Sequence, residues 1–196
     1  MNPEDTALLP RLLRNEAAAY RTLVERHHGA LRRLARAIVG DALAEEVAQE
    51  TWIKAIAALP SFEGRSSLRS WLLRIARNEA IDRLRKESRT GESESLEDEV
   101  LVDRFAPDGH WRPPPAIWSH ETPEALLATR ELAAVIDAAL HAMPARQRSV
   151  LTLRDMDGLD FDEICNILDI PASSVRVLLH RARQRLWMAI DAHERK

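Results

Sequence analysis

Arginine dominates the side chains that can do chemistry in this sequence, and it is concentrated in two stretches. Arg65, Arg69, Arg74, Arg77, Arg83, Arg85, Lys86 and Arg89 crowd the first, and Arg176, Arg181, Arg183 and Arg185 the second. A guanidinium is a permanently charged, planar fork of donors that holds phosphates and reads the edge of guanine, so such clusters point to nucleic acid. Catalytic chemistry has no comparable signature. There is no glycine-rich phosphate loop, no His-Glu-x-x-His pair and no nucleophile in a strand-turn-helix setting. His27 and His28 are adjacent, and neighbouring helical residues point in different directions, so they are read as solvated side chains rather than metal ligands. The single cysteine, Cys165, excludes an internal disulfide and a cysteine-built zinc site, and beside Ile164 it reads as a buried structural thiol. A binding protein is expected, not an enzyme, with no cofactor and no metal.

The formal net charge of −3 argues against a chain that simply coats nucleic acid. Acids gather at Glu45, Glu46 and Glu50, with Gln49 among them, and again from Glu92 to Asp103. Taken by charge alone, the first group reads as a solubilising surface sooner than as a face for a basic partner. The amino terminus lacks a basic segment followed by an apolar run, and no stretch of about 18 apolar residues occurs anywhere. A cytoplasmic protein with no direct membrane insertion is expected.

These groups must be positioned by helices. Apolar residues recur at three and four positions, and with six glycines and abundant Ala, Leu, Arg and Glu the chain reads as all-α. In the first part, Asp41 is placed to cap a helix that turns Val47, Ile53 and Ile56 inward. Ser66 or Ser67 caps the next, whose stripe is Leu68, Trp71, Leu72 and Ile75 and which runs to about Lys86. Periodicity then fails until about Thr122, in a segment with Gly91, Gly109, Pro113 to Pro115 and many acids, although Trp111, Ile117 and Trp118 are unusual for a simple tether. The expected organisation is two small helical domains, 1–87 and 123–196, joined by a flexible linker, 88–122.

The second domain carries a helix-turn-helix pattern from Phe161 to Leu186. Ile164, Ile167 and Leu168 form the buried side of a short helix, Asp169 to Pro171 make the turn, and Ser173 or Ser174 caps a longer helix. At about 100° per residue, Val175, Leu178, Leu179, Ala182 and Leu186 fall in one wedge, with Arg176, His180 and Arg183 together on another side. One face packs and the other is basic, as a helix entering a major groove requires. A solvated basic helix in an ordinary bundle would have the same pattern.

Two longer blocks are similar to a known family. Asp41-Ala-Leu-Ala-Glu-Glu-Val-Ala-Gln-Glu-Thr-Trp-Ile-Lys54 resembles the core-polymerase-binding helix of bacterial sigma factors. Phe62-Glu-Gly-Arg-Ser-Ser-Leu-Arg-Ser-Trp-Leu-Leu-Arg-Ile-Ala-Arg-Asn-Glu-Ala-Ile-Asp-Arg-Leu-Arg85 resembles their promoter-melting and −10-reading segment. Met143-Pro-Ala-Arg-Gln-Arg-Ser-Val-Leu151 and Leu179-His-Arg-Ala-Arg183 are similar to the −35-reading domain and come after these blocks in the chain. With these two domain types and no long amino-terminal or middle region, the chain resembles the extracytoplasmic-function group of the sigma-70 family.

The resemblance implies that Asp41, Glu45, Glu46, Gln49, Glu50 and Lys54 face core RNA polymerase. It implies that Phe62, Arg65, Arg69, Arg74, Arg77, Asn78 and Arg85 face the −10 element, with Phe62 at a loop pocket for a flipped base and Trp71 in the core. It assigns Ser173, Ser174, Arg176, Val177, His180, Arg181 and Arg183 to the −35 element. Many relatives have a Gly-Thr-Val-Lys-Ser-Arg-like sequence where this chain has Ser173-Ser-Val-Arg-Val-Leu178, so their −35 contacts do not transfer residue by residue. An anti-sigma factor is also implied, since membrane-tethered partners commonly silence this group by occlusion; a groove near Val177 and Leu178 or the linker tryptophans would seat it. The competing reading is a helix-turn-helix regulator that binds operator DNA as a dimer without polymerase. A sequestering adaptor accounts less well for two basic helices.

Overall fold

The computed structural model describes residues 3–88 and 123–195, and every regular element among these described residues is helical. The linker expected from the sequence lies, from residue 89 onward, outside the described residues, and so do Trp111, Ile117, Trp118 and the second acidic group. The first group of helices is α1 (Pro3–Leu13), α2 (Ala17–Val39), α3 (Asp41–Ala58), a 3-10 turn at Leu59–Ser61, and α4 (Leu68–Ser88). The second is α5 (Pro123–His141), α6 (Ala145–Leu151), a π turn at Thr152–Met156, α7 (Phe161–Leu168) and α8 (Ala172–Glu194). No helix among the described residues is long and apolar enough to cross a membrane.

In the first group α2 is the central element. Its Leu23, Leu31 and Leu34 are fully buried against the small side chains of Ala44, Ala48 and Ala55 on α3 and against Leu68, Leu72, Leu73 and Ala76 on α4. Such interdigitation of large and small residues lets three helices share one apolar interior. Ser67 caps α4, its hydroxyl accepting from the Ser70 backbone N–H at 3.0 Å, as expected. The expected cap at Asp41 does not form. Gly40 holds the N-cap position with φ of 83°, and Asp41 is the first helical residue, paired with Arg36 at 2.5 Å. Ile53 and Ile56 are not inward either: they are 63% and 44% exposed, because Ala44, Val47, Ala48, Thr51 and Ala55 already fill the buried side of α3. The solvated reading of His27 is also overturned. It lies on the buried side of α2 and is 8% exposed, while His28 accepts from the Trp52 indole at 3.2 Å.

In the second group, Asp160 caps α7 through a reciprocal box. Its carboxylate accepts from the Glu163 backbone N–H at 2.8 Å, and the Glu163 carboxylate accepts from the Asp160 N–H at 3.3 Å. Asp169 closes the helix in the left-handed region, φ 55°, which a short polar side chain tolerates. Neither Ser173 nor Ser174 caps α8. Pro171 occupies the N-cap and no side chain bonds there, the fixed φ of proline pre-setting the turn into the helix. Val175, Leu179 and Ala182 are buried and Leu178 and Leu186 pack on the core at its edge, as the wedge requires. Cys165 is half-buried against the same core.

The two helical groups are seated against each other. Helices α2 and α4 meet α6, the π turn and α7, and one apolar cluster runs through both groups. Polar contacts line the seam. Arg148 donates from Nε to Ala37 O at 2.7 Å and from one terminal nitrogen to Leu140 O and His141 O, both at 3.2 Å. One cation thus meets carbonyls in the last turns of α2 and α5, which have no donor within their own helix. Arg77 of α4 likewise donates to Leu168 O, the last residue of α7, at 3.1 Å. Nearby, Arg36 donates to Asp137 at 2.6 Å, and the His141 ring bridges Asp137 O and the Asp41 carboxylate.

Asp160→Ala removes the box at the start of α7 and should lower stability by about 1 kcal/mol in denaturant unfolding; an unchanged midpoint would show that the box carries no stability. The His141 ring, surrounded by Asp137, Asp41 and the Arg36 and Arg148 guanidiniums, has its pKa raised from the ordinary 6.5 by the Asp137 carbonyl first and then by the Asp41 carboxylate. Asp41 is correspondingly held below its usual 3.8, by His141 first and then Arg36. The His141–Asp41 contact is therefore complete at mildly acidic pH, is lost as pH rises through the raised histidine pKa, and is lost again as pH falls through the lowered carboxylate pKa. An NMR titration should find His141 titrating above 6.5, and lower in Asp41→Asn.

Candidate nucleic-acid interface

Helix α3 is the part of the surface expected to face polymerase, and its acids lie between two basic neighbours. Glu45 pairs with Arg32 at 3.3 Å and His28 at 3.5 Å, both on α2. Glu46 pairs with Arg83 of α4 at 2.7 Å. Lys54 pairs with Glu79, also on α4, and this carboxylate raises the lysine pKa. Gln49 and Glu50 are exposed. Ile53 and Ile56, core residues by sequence pattern, stand exposed farther along the same helix. Ile53 and Ile56 lie at helical spacing one turn beyond Gln49, so α3 presents an exposed apolar pair edged by polar and acidic side chains. Asp41 stands apart from this pair, at the seam with His141.

The residues expected to meet the −10 element divide into two sets. Phe62, half-buried in the loop before α4, packs on Trp71 with ring centroids 5.0 Å apart and planes tilted by 49°. The pair joins the core, which places Trp71 there as expected and gives the loop a fixed aromatic floor. Arg65 is 82% exposed and pairs locally with Glu63. Arg74 and Asn78, four residues apart, are exposed on one face of α4, and Arg85 is exposed farther along, 3.7 Å from Asp82. Arg69 and Arg77 are engaged across the seam instead, Arg69 with Asp157 and Arg77 with the end of α7.

On α8, Arg176 and Val177 are exposed, Val177 to 48%, and Ser173 beside them is exposed as well. Ser174, His180 and Arg181 are half-buried. The Arg176 guanidinium lies 5.7 Å from the centroid of the Phe161 ring, and Arg154 lies 5.0 Å from it. Cations over an aromatic face are steadied in place without losing their charge. Arg183 differs from the expected open position. Its side chain is 13% exposed, and Asp155 of the π turn accepts from Nε at 2.9 Å and from a terminal nitrogen at 2.6 Å. The bidentate pair fixes α8 to the π turn. The basic face of α8 thus centres on its first two turns, the part of a recognition helix that reaches base edges.

Several residues of the seam had no sequence signal: Arg33, Arg36, Asp137, His141, Arg148 and Asp157. Their partners lie about a hundred residues away, and no local pattern marks such a pair.

Residues 23–90 match the family Sigma-70 region 2, and residues 133–186 match Sigma-70, region 4. The chain is 32% identical over 182 residues to the ECF RNA polymerase sigma-E factor of Escherichia coli strain K12, covering 93% of this chain and 92% of that protein. It is 30% identical over 182 residues to the protein of the same name from Haemophilus influenzae, covering 93% of each. Among solved structures, CnrH in complex with the cytosolic domain of CnrY is similar in fold, with TM-score 0.59 and 22% identity over 96% of this chain and 97% of that one. RpoE of Bartonella quintana, in complex with the anti-sigma factor NepR, has TM-score 0.59 and 22% identity over 88% and 96% of the two chains. Two region matches in order, and an identity that spans nearly the whole chain, place the protein in the sigma-70 family as an alternative sigma factor of the extracytoplasmic-function group.

Proposed function

We propose that α3 is the surface for core RNA polymerase, that the loop at Phe62 with Arg65, Arg74, Asn78 and Arg85 meets the −10 element, and that α8 meets the −35 element through Ser173, Arg176 and Val177. In this reading residues 1–87 act as the polymerase and −10 unit, 88–122 connect, and 123–196 read the −35 element. The observation that carries it is the exposed pair on α3, where Ile53 and Ile56 stand beside Gln49 and Glu50. An apolar pair edged by polar and acidic side chains suits a partner groove with a basic edge, and this family's partner there is polymerase. An anti-sigma factor holds the protein inactive until a stress or envelope signal, in keeping with the anti-sigma complex of the similar RpoE fold.

Glu46→Lys with Glu50→Lys should weaken co-elution with core polymerase by about tenfold or more while helical content by circular dichroism stays the same. Unchanged affinity would remove α3 from the interface. Binding of an operator duplex by a dimer, with no affinity for core, would favour a polymerase-independent regulator. Arg176→Ala should weaken promoter binding by roughly 1–3 kcal/mol if it reads a base, or weaken all sequences alike if it holds a phosphate; transcription from holoenzyme on promoter variants distinguishes the two.

A further inference from the structure

Helix α8 carries on its outer face a side chain that the fold does not use. Val175, Leu179 and Ala182 are buried and Leu178 packs on the core at its edge, so the helix is anchored without Val177, which is 48% exposed. A β-branched residue is a weak choice for an exposed helical position, since its side chain loses freedom against the preceding turn and gains no burial in return. The surroundings of Val177 are polar. Ser173, one turn earlier on the same side, is exposed, Arg176 beside it is exposed, and Arg181 one turn later is half-buried. The Phe161 ring, 5.7 Å from the Arg176 guanidinium, draws that side chain toward the start of α7. Val177 therefore forms an apolar spot one side chain wide within a basic and hydroxyl-bearing surface.

A spot of that size suits one small apolar group, whereas a protein partner takes a contiguous apolar patch. In the major groove a single base offers such a group. Thymine carries a 5-methyl there, while adenine, guanine and cytosine present hydrogen-bond donors and acceptors. An isopropyl group pressed on those polar atoms would take water from them and give no partner back, which costs binding energy.

We propose that Val177 reads the 5-methyl of a thymine in the −35 element. The proposal rests on the reading of α8 as the −35 surface and adds which base that surface selects. The contact is dry and sets no hydrogen bond: apolar area leaves water when the methyl meets the valine, and other bases are disfavoured by the polar atoms it would leave unmet. Arg176 and Ser173 remain the polar contacts on either side of it.

The test uses holoenzyme assembled from the full chain and core polymerase. Duplexes bound from a pool randomised across the −35 and −10 segments define the preferred −35 sequence. Each thymine of that sequence, on either strand, is then replaced singly by deoxyuridine, which keeps every hydrogen-bonding group and lacks only the methyl. One replacement should weaken binding by wild type about fourfold, as the loss of one buried methyl group predicts, and should leave binding by Val177→Ser unchanged. Val177→Thr, which keeps one methyl at the same branch, should retain part of the sensitivity. Circular dichroism of both variants should match wild type, the position being exposed. A wild type with no deoxyuridine-sensitive thymine, or a Val177→Ser protein as sensitive as wild type, would overturn the proposal and leave α8 as the −35 surface. A pool that shows no −35 preference although core is bound would overturn the reading of α8, and the proposal with it.

Discussion

A carboxylate taken out of water has to be met by positive charge, and the described structure is arranged around one that is. Asp157 is enclosed, and its cations come from helices that belong to the other half of the molecule. The requirement draws α2 and α4 onto the π turn, and the remaining seam contacts then fall into reach: Arg148 at the ends of α2 and α5, Arg77 at the end of α7, Arg36 and His141 around Asp137. Several of these reach carbonyls at helix ends. Polar groups therefore specify how the halves meet, while the apolar cluster supplies contact that many orientations would share.

The acids of α3 play a different electrostatic part. Glu45 and Glu46 are held by arginines of α2 and α4, but these carboxylates remain half exposed, so the pairs orient them more than they stabilise the fold. The result is a helix whose Glu45 and Glu46 carboxylates are oriented within the fold itself. Preorganised side chains lose less freedom on binding, and an interface built this way keeps more of its contact energy.

Local structure was legible in the residues wherever a periodic pattern and a turn coincide. The helix-turn-helix shows this best, with a wedge of Val175, Leu179 and Ala182 and a turn ending at Pro171. Where two residues compete for one role the reading failed. Serines beside Pro171 look like caps, yet proline already fixes the entry to α8. Ile53 and Ile56 have the hydrophobicity of core residues, but alanines occupy that side of α3, and only packing reveals it. His27 is the converse, a polar residue carried inward by its place on the buried side of α2. The seam was invisible for a separate reason. Asp157 sits in Met-Asp-Gly-Leu, which reads as an ordinary turn, and its partner Arg33 is 124 residues away. The linker, which has no periodicity to read, lies outside the described residues.

The π turn at Thr152–Met156 places two acids with different obligations. Asp155 holds Arg183 of α8, and Asp157, whose N–H closes the turn onto Thr152 O at 3.0 Å, holds the arginines of α2 and α4. A π turn contains one residue more than an α turn, and such insertions survive mostly where they place a needed group. Loss of a single residue here would rotate the downstream chain by about 100° and carry one carboxylate away from its arginines. Helix α8 and the junction between the halves thus share a register. The chain tolerates length changes between residues 151 and 158 far less readily than its surface position at Gly158 suggests, because two separate alignments are counted from the same five residues.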